Sequence, residues 1–188
     1  MPLPRNVDYT YGDLLKWPEE ERYELYHGVP VLLAAPTPLH QTVCGEIFYQ
    51  LRQFLEGKSC RPFMAPCDLR LFDTPSDVPE EAVLVLQPDV FVICDPSQIT
   101  DKGIAGAPSL VVEVLSASTS ERDRIEKYHL YERGGVKEYW IVDPEKGFLQ
   151  AFRLVDGKYA AGEIFFPNTV VPSSSLEGFS LDLESVIS

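Results

Sequence analysis

Two acidic side chains stand in apolar stretches of the chain, where a carboxylate is costly to bury. Glu113 lies inside the apolar run of residues 110–115, and Asp89 begins the run that continues to residue 93. An ionised carboxylate that loses its water costs several kcal/mol unless it is paired. Glu113, which lies inside its run, therefore requires a cation, a basic side chain or a proton beside it.

The two acids converge if their runs form neighbouring antiparallel strands. Asp89 stands near the start of its run and Glu113 late in the next, and residues 95–109 leave enough chain for the return. Oxygen ligands suit Mg²⁺ or Mn²⁺, which keep several waters for a phosphate substrate. Two alternatives stay open: Asp89, which follows a proline, caps a turn, and Glu113 pairs with a buried Arg or Lys.

Three more side chains are candidates for the same site. Lys127 lies on a predicted helix, and it either points toward the sheet or forms a surface pair with Asp123. Glu24 lies in a polar–apolar alternation, which is typical of a solvated strand residue. His40 precedes a helical pattern and is either an N-terminal helix residue or a phosphate contact.

The elements that must position these residues form a mixed α/β pattern, with a sheet and helices on its faces. Residues 22–26 and 29–34 flank His27-Gly28 and predict a β-hairpin. Residues 40–55 have helical spacing, and residues 118–134 predict a second helix that starts at Ser120 and Asp123 and stops at Gly134-Gly135. Residues 90–94 and 110–115 predict central strands buried on both faces. Further elements are predicted at 11–17 (helix), at 61–65, 68–72, 138–142, 148–154 and 163–166 (strands), and over the last 20 residues (a covering segment).

Length and composition limit the class of protein. The chain has 188 residues, of which 45% are hydrophobic, so we expect one domain over residues 1–188. No apolar run is long enough to span a membrane, and the first ten residues lack the pattern of a secretory signal. Four cysteines without a CxxC pair argue against zinc fingers and a disulfide scaffold and fit a reducing cytoplasm. The three histidines have no zinc-ligand spacing, and nucleotide-loop, GxSxG and HExxH motifs are absent from the sequence.

The net charge argues against a nucleic-acid substrate. Sixteen basic residues against 29 acidic residues give −13, whereas proteins that bind DNA usually carry a basic surface. The distribution is uneven, because residues 71–101 contain no Lys or Arg. A local basic face is predicted within residues 120–138, from Arg122, Arg124, Lys127, Arg133 and Lys137.

Several motifs in sequence order closely resemble the Uma-two family of restriction endonuclease-like proteins, which belongs to the PD-(D/E)XK nuclease superfamily. They are Gln-Pro-Asp-Val at 87–90, residues 107–116, and residues 135–144, with Asp123, Lys127 and Tyr131 between the last two. Residues 23–28 and 38–40 fit the same pattern. The resemblance covers about residues 10 to 155 and implies a restriction-endonuclease-like mixed sheet flanked by helices.

The resemblance also implies roles for individual residues. Asp89 and Glu113 would bind the divalent metal ion, with the carbonyl of Val114 as a third ligand. Glu24 would lie at the edge of the site as a metal ligand or a group that orients water. Lys127 would be the catalytic lysine.

One position departs from the usual superfamily pattern. Two residues after Glu113 stands Leu115, where a lysine is usual, so the lysine is displaced onto the following helix. The role of Lys127 therefore requires that its side chain reach the metal site.

These observations lead to a Mg²⁺- or Mn²⁺-dependent endonuclease acting on DNA, with His40 as a substrate contact. The alternative is a catalytically inactive nuclease-like module for binding or assembly, which the acidic charge favours. A metal-dependent hydrolase of another phosphorylated substrate is a third class. The resemblance further suggests a homodimer, since such nucleases often pair to address two strands.

Overall fold

The computed structural model describes residues 8–18, 20–116 and 123–187. The α-helices are α1 (Tyr11–Leu14), α2 (Pro38–Phe54), α3 (Tyr128–Gly134) and α4 (Leu183–Val186), and a π-helical segment, Asp123–Lys127, directly precedes α3. The strands are β1 (Tyr23–Tyr26), β2 (Val29–Leu32), β3 (Arg61–Met64), β4 (Leu69–Arg70), β5 (Val90–Ile93), β6 (Ile99–Thr100), β7 (Gly103–Ala105), β8 (Leu110–Val114), β9 (Glu138–Asp143), β10 (Phe148–Val155), β11 (Lys158–Tyr159), β12 (Glu163–Phe165), β13 (Val170–Pro172) and β14 (Ser180–Asp182). Short 3₁₀ turns span Pro79–Glu81 and Pro96–Gln98.

The largest sheet is mixed and has seven strands. Its order is β3-β5-β8-β9-β10-β11, and β12 also pairs with β10. β5 and β8 are antiparallel, with Val90 opposite Val112, whereas β8 and β9 are parallel. The start of β5 therefore lies beside the end of β8, as the convergence of Asp89 and Glu113 requires.

The central strands are buried on both faces, as their apolar sequence predicts. Every residue of β5 and of β8 is buried, because successive side chains point to opposite faces and each face is covered. One face packs against α2 and the C-terminal segment; its members include Val90, Val92, Val112, Val114 and Trp140. The other face packs against α3; its members include Phe91, Val111, Tyr139 and Ile141. The mixed sheet with helices on its faces is thus confirmed.

The N-terminal hairpin is also confirmed. His27 and Gly28 have φ angles of 48° and 82°, the positive pair that a two-residue type I′ turn needs. β1 and β2 form a separate two-stranded sheet. The amide of Leu25 donates to the carbonyl of Val85 at 2.7 Å, which attaches this hairpin to the body of the protein.

The helix predicted over residues 118–134 is only partly an α-helix. Residues 117–122, including the predicted cap Ser120, lie outside the described residues. The next five residues form a π-helix, a conformation that occurs often at functional sites and that side-chain periodicity does not reveal. α3 then ends at Gly135 in the left-handed conformation (φ 82°), which confirms the predicted stop.

The cysteines depart from the fully reduced state expected from the sequence. Cys60 and Cys94 form a disulfide, and Cys44 and Cys67 are free. Because the apolar clusters on both faces of the sheet are extensive, this disulfide supplements a hydrophobic core and is not a scaffold. No helix among the described residues is both long and apolar enough to cross a bilayer.

A buried carboxylate fastens the C-terminal segment to the sheet. Glu138, at the start of β9, is 2% exposed and accepts hydrogen bonds from the indole of Trp140 and from both the hydroxyl and the amide of Ser175. The Ser173 hydroxyl and the Ser174 amide donate to the same carboxylate. The three serines thus replace the hydrogen bonds that the Glu138 carboxylate loses when it is removed from water. Leu176, Phe179 and Leu181 cover the apolar face of the sheet.

We expect Glu138→Ala to lower the free energy of unfolding by about 3 kcal/mol, the scale of one or two hydrogen bonds to a charged group. Urea unfolding followed by tryptophan fluorescence measures it. Glu163→Ala, at an exposed position of β12, is the matched control and should change stability by less than about 0.5 kcal/mol. Equal effects of the two substitutions would contradict this role of Glu138.

Candidate active site

The predicted site residues, except Val114, line one cleft. It has a volume of about 240 Å³ and lies between the hairpin, the start of α2 and the adjoining ends of β5 and β8. Its lining includes all five side chains named from the sequence, which are Glu24, His40, Asp89, Glu113 and Lys127. Residues that are distant in sequence therefore share one space large enough for a phosphate group and several waters.

Lys127 lies at the centre of the charged groups. Its Nζ is 2.9 Å from Glu113 Oε1 and 3.0 Å from Glu24 Oε1. The Lys127 side chain is 6% exposed, and those of Glu24 and Glu113 are 1% and 3% exposed. The lysine therefore points inward, and the solvated-strand interpretation of Glu24 is wrong. One positive charge stands between two negative charges, so this trio retains a formal charge of −1.

Two tyrosines complete the pairing of these carboxylates. The Tyr26 hydroxyl donates to Glu24 Oε2 at 2.8 Å, and the Tyr131 hydroxyl donates to Glu113 Oε1 at 2.7 Å. Burial, followed by the nearby carboxylate charges and opposed by Lys127, raises the pKa of both hydroxyls above the ordinary tyrosine value. Both tyrosines therefore stay protonated near neutral pH and act as fixed donors.

Asp89 holds the end of the neighbouring strand. Its Oδ2 accepts the Val114 amide at 2.8 Å and lies 3.2 Å from His40 Nε2. The Val114 partner is 25 residues away, so Asp89 does not cap a local turn. The side chain is 18% exposed, and its second oxygen, Oδ1, accepts no hydrogen bond from any described residue.

These groups fit a hard divalent cation. Asp89 lines the cleft, its Oδ1 accepts no hydrogen bond from a described residue, and the Val114 amide ties the carboxylate to the strand that carries Glu113. Carboxylate and carbonyl oxygens are the ligands that Mg²⁺ and Mn²⁺ prefer. The predicted set of Asp89, Glu113 and the Val114 carbonyl is therefore chemically suitable, and it stays a prediction.

Two of the residues that line the cleft, Arg22 and Cys44, are candidate functional residues that the sequence did not identify. Arg22 donates from Nε and Nη2 to Gln87 Oε1 at 3.0 and 2.8 Å, and nothing in its flanking sequence distinguishes it. Cys44 lies one helical turn after His40, with its Sγ 3.5 Å from His40 Nδ1. Burial, and then the charges of Asp89 and Glu113, raise the pKa of the Cys44 thiol. The four-residue spacing of His40 and Cys44 is the signal in the sequence, because it places both side chains on one face of a helix.

Comparisons with known proteins identify the family of this chain. Residues 11–184 match the model of the Uma2 family, whose description is "Putative restriction endonuclease". The chain is 27% identical over 143 residues to the uncharacterized protein slr1290 of Synechocystis, covering 75% of this chain and 70% of that protein.

A solved structure shares the fold. It is described as a putative nuclease belonging to DUF820 from Anabaena variabilis, and it superposes with a TM-score of 0.72 at 20% identity. The match covers 95% of this chain and 97% of the other. The restriction-endonuclease-like fold expected from the sequence is confirmed by this likeness.

We expect Lys127→Met to destabilise the protein by about 3–5 kcal/mol, because two buried carboxylates then lose their shared cation. Denaturant unfolding at pH 7 measures the change. The matched control is Lys137→Met, at an exposed position, with an expected change below about 0.5 kcal/mol. If both variants unfold at the wild-type midpoint, Lys127 does not compensate these charges.

Proposed function

The chain belongs to the Uma2 family, and we propose that it is a Mg²⁺- or Mn²⁺-dependent endonuclease that hydrolyses DNA phosphodiester bonds. The observation that carries this proposal is the meeting, in one cleft, of carboxylates from the start of β5 and the end of β8 with the buried lysine before α3. This arrangement combines a suitable ligand set with a cation near the reacting groups.

Asp89, Glu113 and the Val114 carbonyl are the proposed metal ligands. A bound Mg²⁺ or Mn²⁺ would polarise the scissile phosphate and lower the pKa of an attacking water. The protein contributes rigidity: Asp89 is fixed by the Val114 amide, and Glu113 by the Tyr131 hydroxyl. Ligands that are already positioned lose little conformational entropy when the ion binds.

Lys127 and Glu24 are proposed to act beside the metal ligands. The Lys127 ammonium would neutralise charge that develops on the phosphate or hold the water that attacks it. Glu24 holds this ammonium from the hairpin side, and the Gln87 amide and the Tyr26 hydroxyl fix Glu24 in turn. A lysine held from two sides is positioned before substrate arrives.

Replacement of Asp89 by Asn tests the proposal directly. The amide oxygen can still accept the Val114 amide, but the negative charge for the metal ion is lost. We expect plasmid cleavage in Mn²⁺ to fall by about 100-fold or more, the scale of losing one strong electrostatic contact in an active site. The matched control is Asp101→Asn, at an exposed position outside the cleft, which should cleave as wild type does.

Equal cleavage by wild type and Asp89→Asn would indicate a contaminating nuclease and remove the claim. Folded wild-type protein that neither cleaves DNA nor binds Mn²⁺ at millimolar concentration would favour the nuclease-like binding or assembly module. Circular dichroism of each variant excludes unfolding as the cause.

Arg22 is proposed to contact a substrate phosphate alongside His40. A local positive charge in the cleft would let the protein bind DNA despite its acidic net charge. Lys127 is occupied by two carboxylates, whereas Arg22 lines the same cleft and is partly exposed. Gln87 fixes two of its nitrogens, and the third, Nη1, has no hydrogen-bond partner among the described residues. A guanidinium fixed in this way is suited to a phosphate oxygen.

We expect Arg22→Gln to weaken DNA binding and to reduce the slope of log K against log salt by about 1, the value for one lost phosphate contact. Fluorescence anisotropy of a labelled duplex, without added divalent metal so that no cleavage occurs, measures both quantities. Arg52→Gln, on the exposed side of α2, controls for net charge. Identical slopes for the two variants would exclude Arg22 as a specific contact.

Three further expectations stay predictions: a single domain over residues 1–188, a cytoplasmic location and a homodimer. Two clefts in a homodimer would address the two strands of a duplex. Sedimentation equilibrium measures the number of copies. The disulfide between Cys60 and Cys94 gives no support to a reducing cytoplasm, where such bonds are rare.

A further inference from the structure

We propose that His40, Cys44 and Asp89 form a second cation site, selective for a borderline-soft divalent metal ion such as Zn²⁺. One ligand atom from each residue lies within 4.8 Å of the other two. This set differs from the oxygen set of the proposed function, because it adds an imidazole nitrogen and a sulfur. Only Asp89 belongs to both sets.

The backbone places the first two ligands. His40 and Cys44 are four residues apart on α2, so both side chains leave the same face of the helix. Cys44 Sγ and His40 Nδ1 are 3.5 Å apart. Zinc bonds of about 2.3 Å to sulfur and about 2.0–2.1 Å to nitrogen at a tetrahedral angle give a sulfur–nitrogen distance of about 3.5 Å. The Sγ–Nδ1 separation therefore suits two ligands of a tetrahedral ion bound through Nδ1.

Asp89 supplies the third ligand from the sheet. Its Oδ2 lies 3.2 Å from His40 Nε2, the ring nitrogen other than the one beside Cys44. Because one ion binds one ring nitrogen, a small movement of the Cys44 or Asp89 side chain must bring in the third ligand atom, which lies within 4.8 Å. Cys44 is 2% exposed, whereas the side chains of His40 and Asp89 are 12% and 18% exposed. The sulfur lies at the inner end of the site and the carboxylate at the cleft. Among the described residues no fourth ligand joins this set, so water or a ligand in the cleft could complete the coordination.

The donor types decide which ion binds. Mg²⁺ prefers oxygen alone and keeps most of its waters, whereas thiolate and imidazole favour Zn²⁺ and Co²⁺. Three protein ligands with one open position are typical of exchangeable or catalytic zinc, and structural zinc sites use four. Glu113, which lines the same cleft, adds negative charge that favours any cation there.

Occupation of this site would change the electrostatics of the metal site in the proposed function. Asp89 belongs to both ligand sets, and a Zn²⁺ bound to it reduces the negative charge that it offers to a second cation. Zn²⁺ at low concentration is thus expected to compete with Mn²⁺. The competition rests on the proposed function, whereas Zn²⁺ binding itself does not.

Cobalt titration of the whole chain tests the site without measuring activity. Wild-type protein should bind one Co²⁺ with visible bands of tetrahedral intensity and a sulfur-to-cobalt charge-transfer band in the near ultraviolet, and one equivalent of Zn²⁺ should abolish both. Cys44→Ala should lose the charge-transfer band, and His40→Gln should weaken cobalt binding at least tenfold. Cys67→Ala, which removes the other free thiol, is the matched control and should keep the full spectrum.

The outcomes separate the two proposals. A missing charge-transfer band in folded wild-type protein, or a band that Cys67→Ala abolishes and Cys44→Ala retains, would overturn the second site. A cobalt spectrum that depends on Cys44, in a protein that cleaves no DNA, would support this site and remove the proposed function alone. Mn²⁺ that stays bound when Zn²⁺ is added would overturn the competition.

Discussion

The burial of one lysine between two carboxylates is the constraint on which the site depends. Lys127 comes from the segment before α3, Glu24 from the hairpin and Glu113 from the central strand β8. None of these charges could stay in the interior alone, because each would lose more solvation than the surroundings return. The three elements must therefore dock together, and their docking forms the wall of the cleft.

The sequence was most informative where a charged side chain stands in an apolar segment. Glu113 in an apolar strand required a partner, and the antiparallel pairing of β5 with β8 brings Asp89 to the same end of the sheet. Periodicity located the central strands, the long helix and the hairpin, because each has a regular apolar pattern and a turn or stop residue. The same reasoning offered an inward Lys127 as one of two alternatives, and the structure selects it.

What could not be predicted depends on contacts between distant segments. Glu24 reads as a solvated strand residue, and its burial follows from the attachment of the hairpin through Leu25 and Val85. The π-helical turn before α3 leaves no mark in the apolar spacing. The disulfide joins Cys60 to Cys94 because β3 and β5 are adjacent, which neither sequence position reveals. Which of these distant residues contact each other is determined only when the chain folds.

The hydrogen bonds from Ser173, Ser174 and Ser175 to Glu138 have a consequence for biosynthesis. The serine partners of this carboxylate follow it by 35 to 37 residues, so a chain leaving the ribosome exposes Glu138 well before Ser173 to Ser175 emerge. Until then water must solvate the charge, and the apolar surface around Trp140 lacks its cover. One face of the sheet is therefore covered only late in translation. Nascent chains that stop before that point expose apolar surface to which chaperones bind.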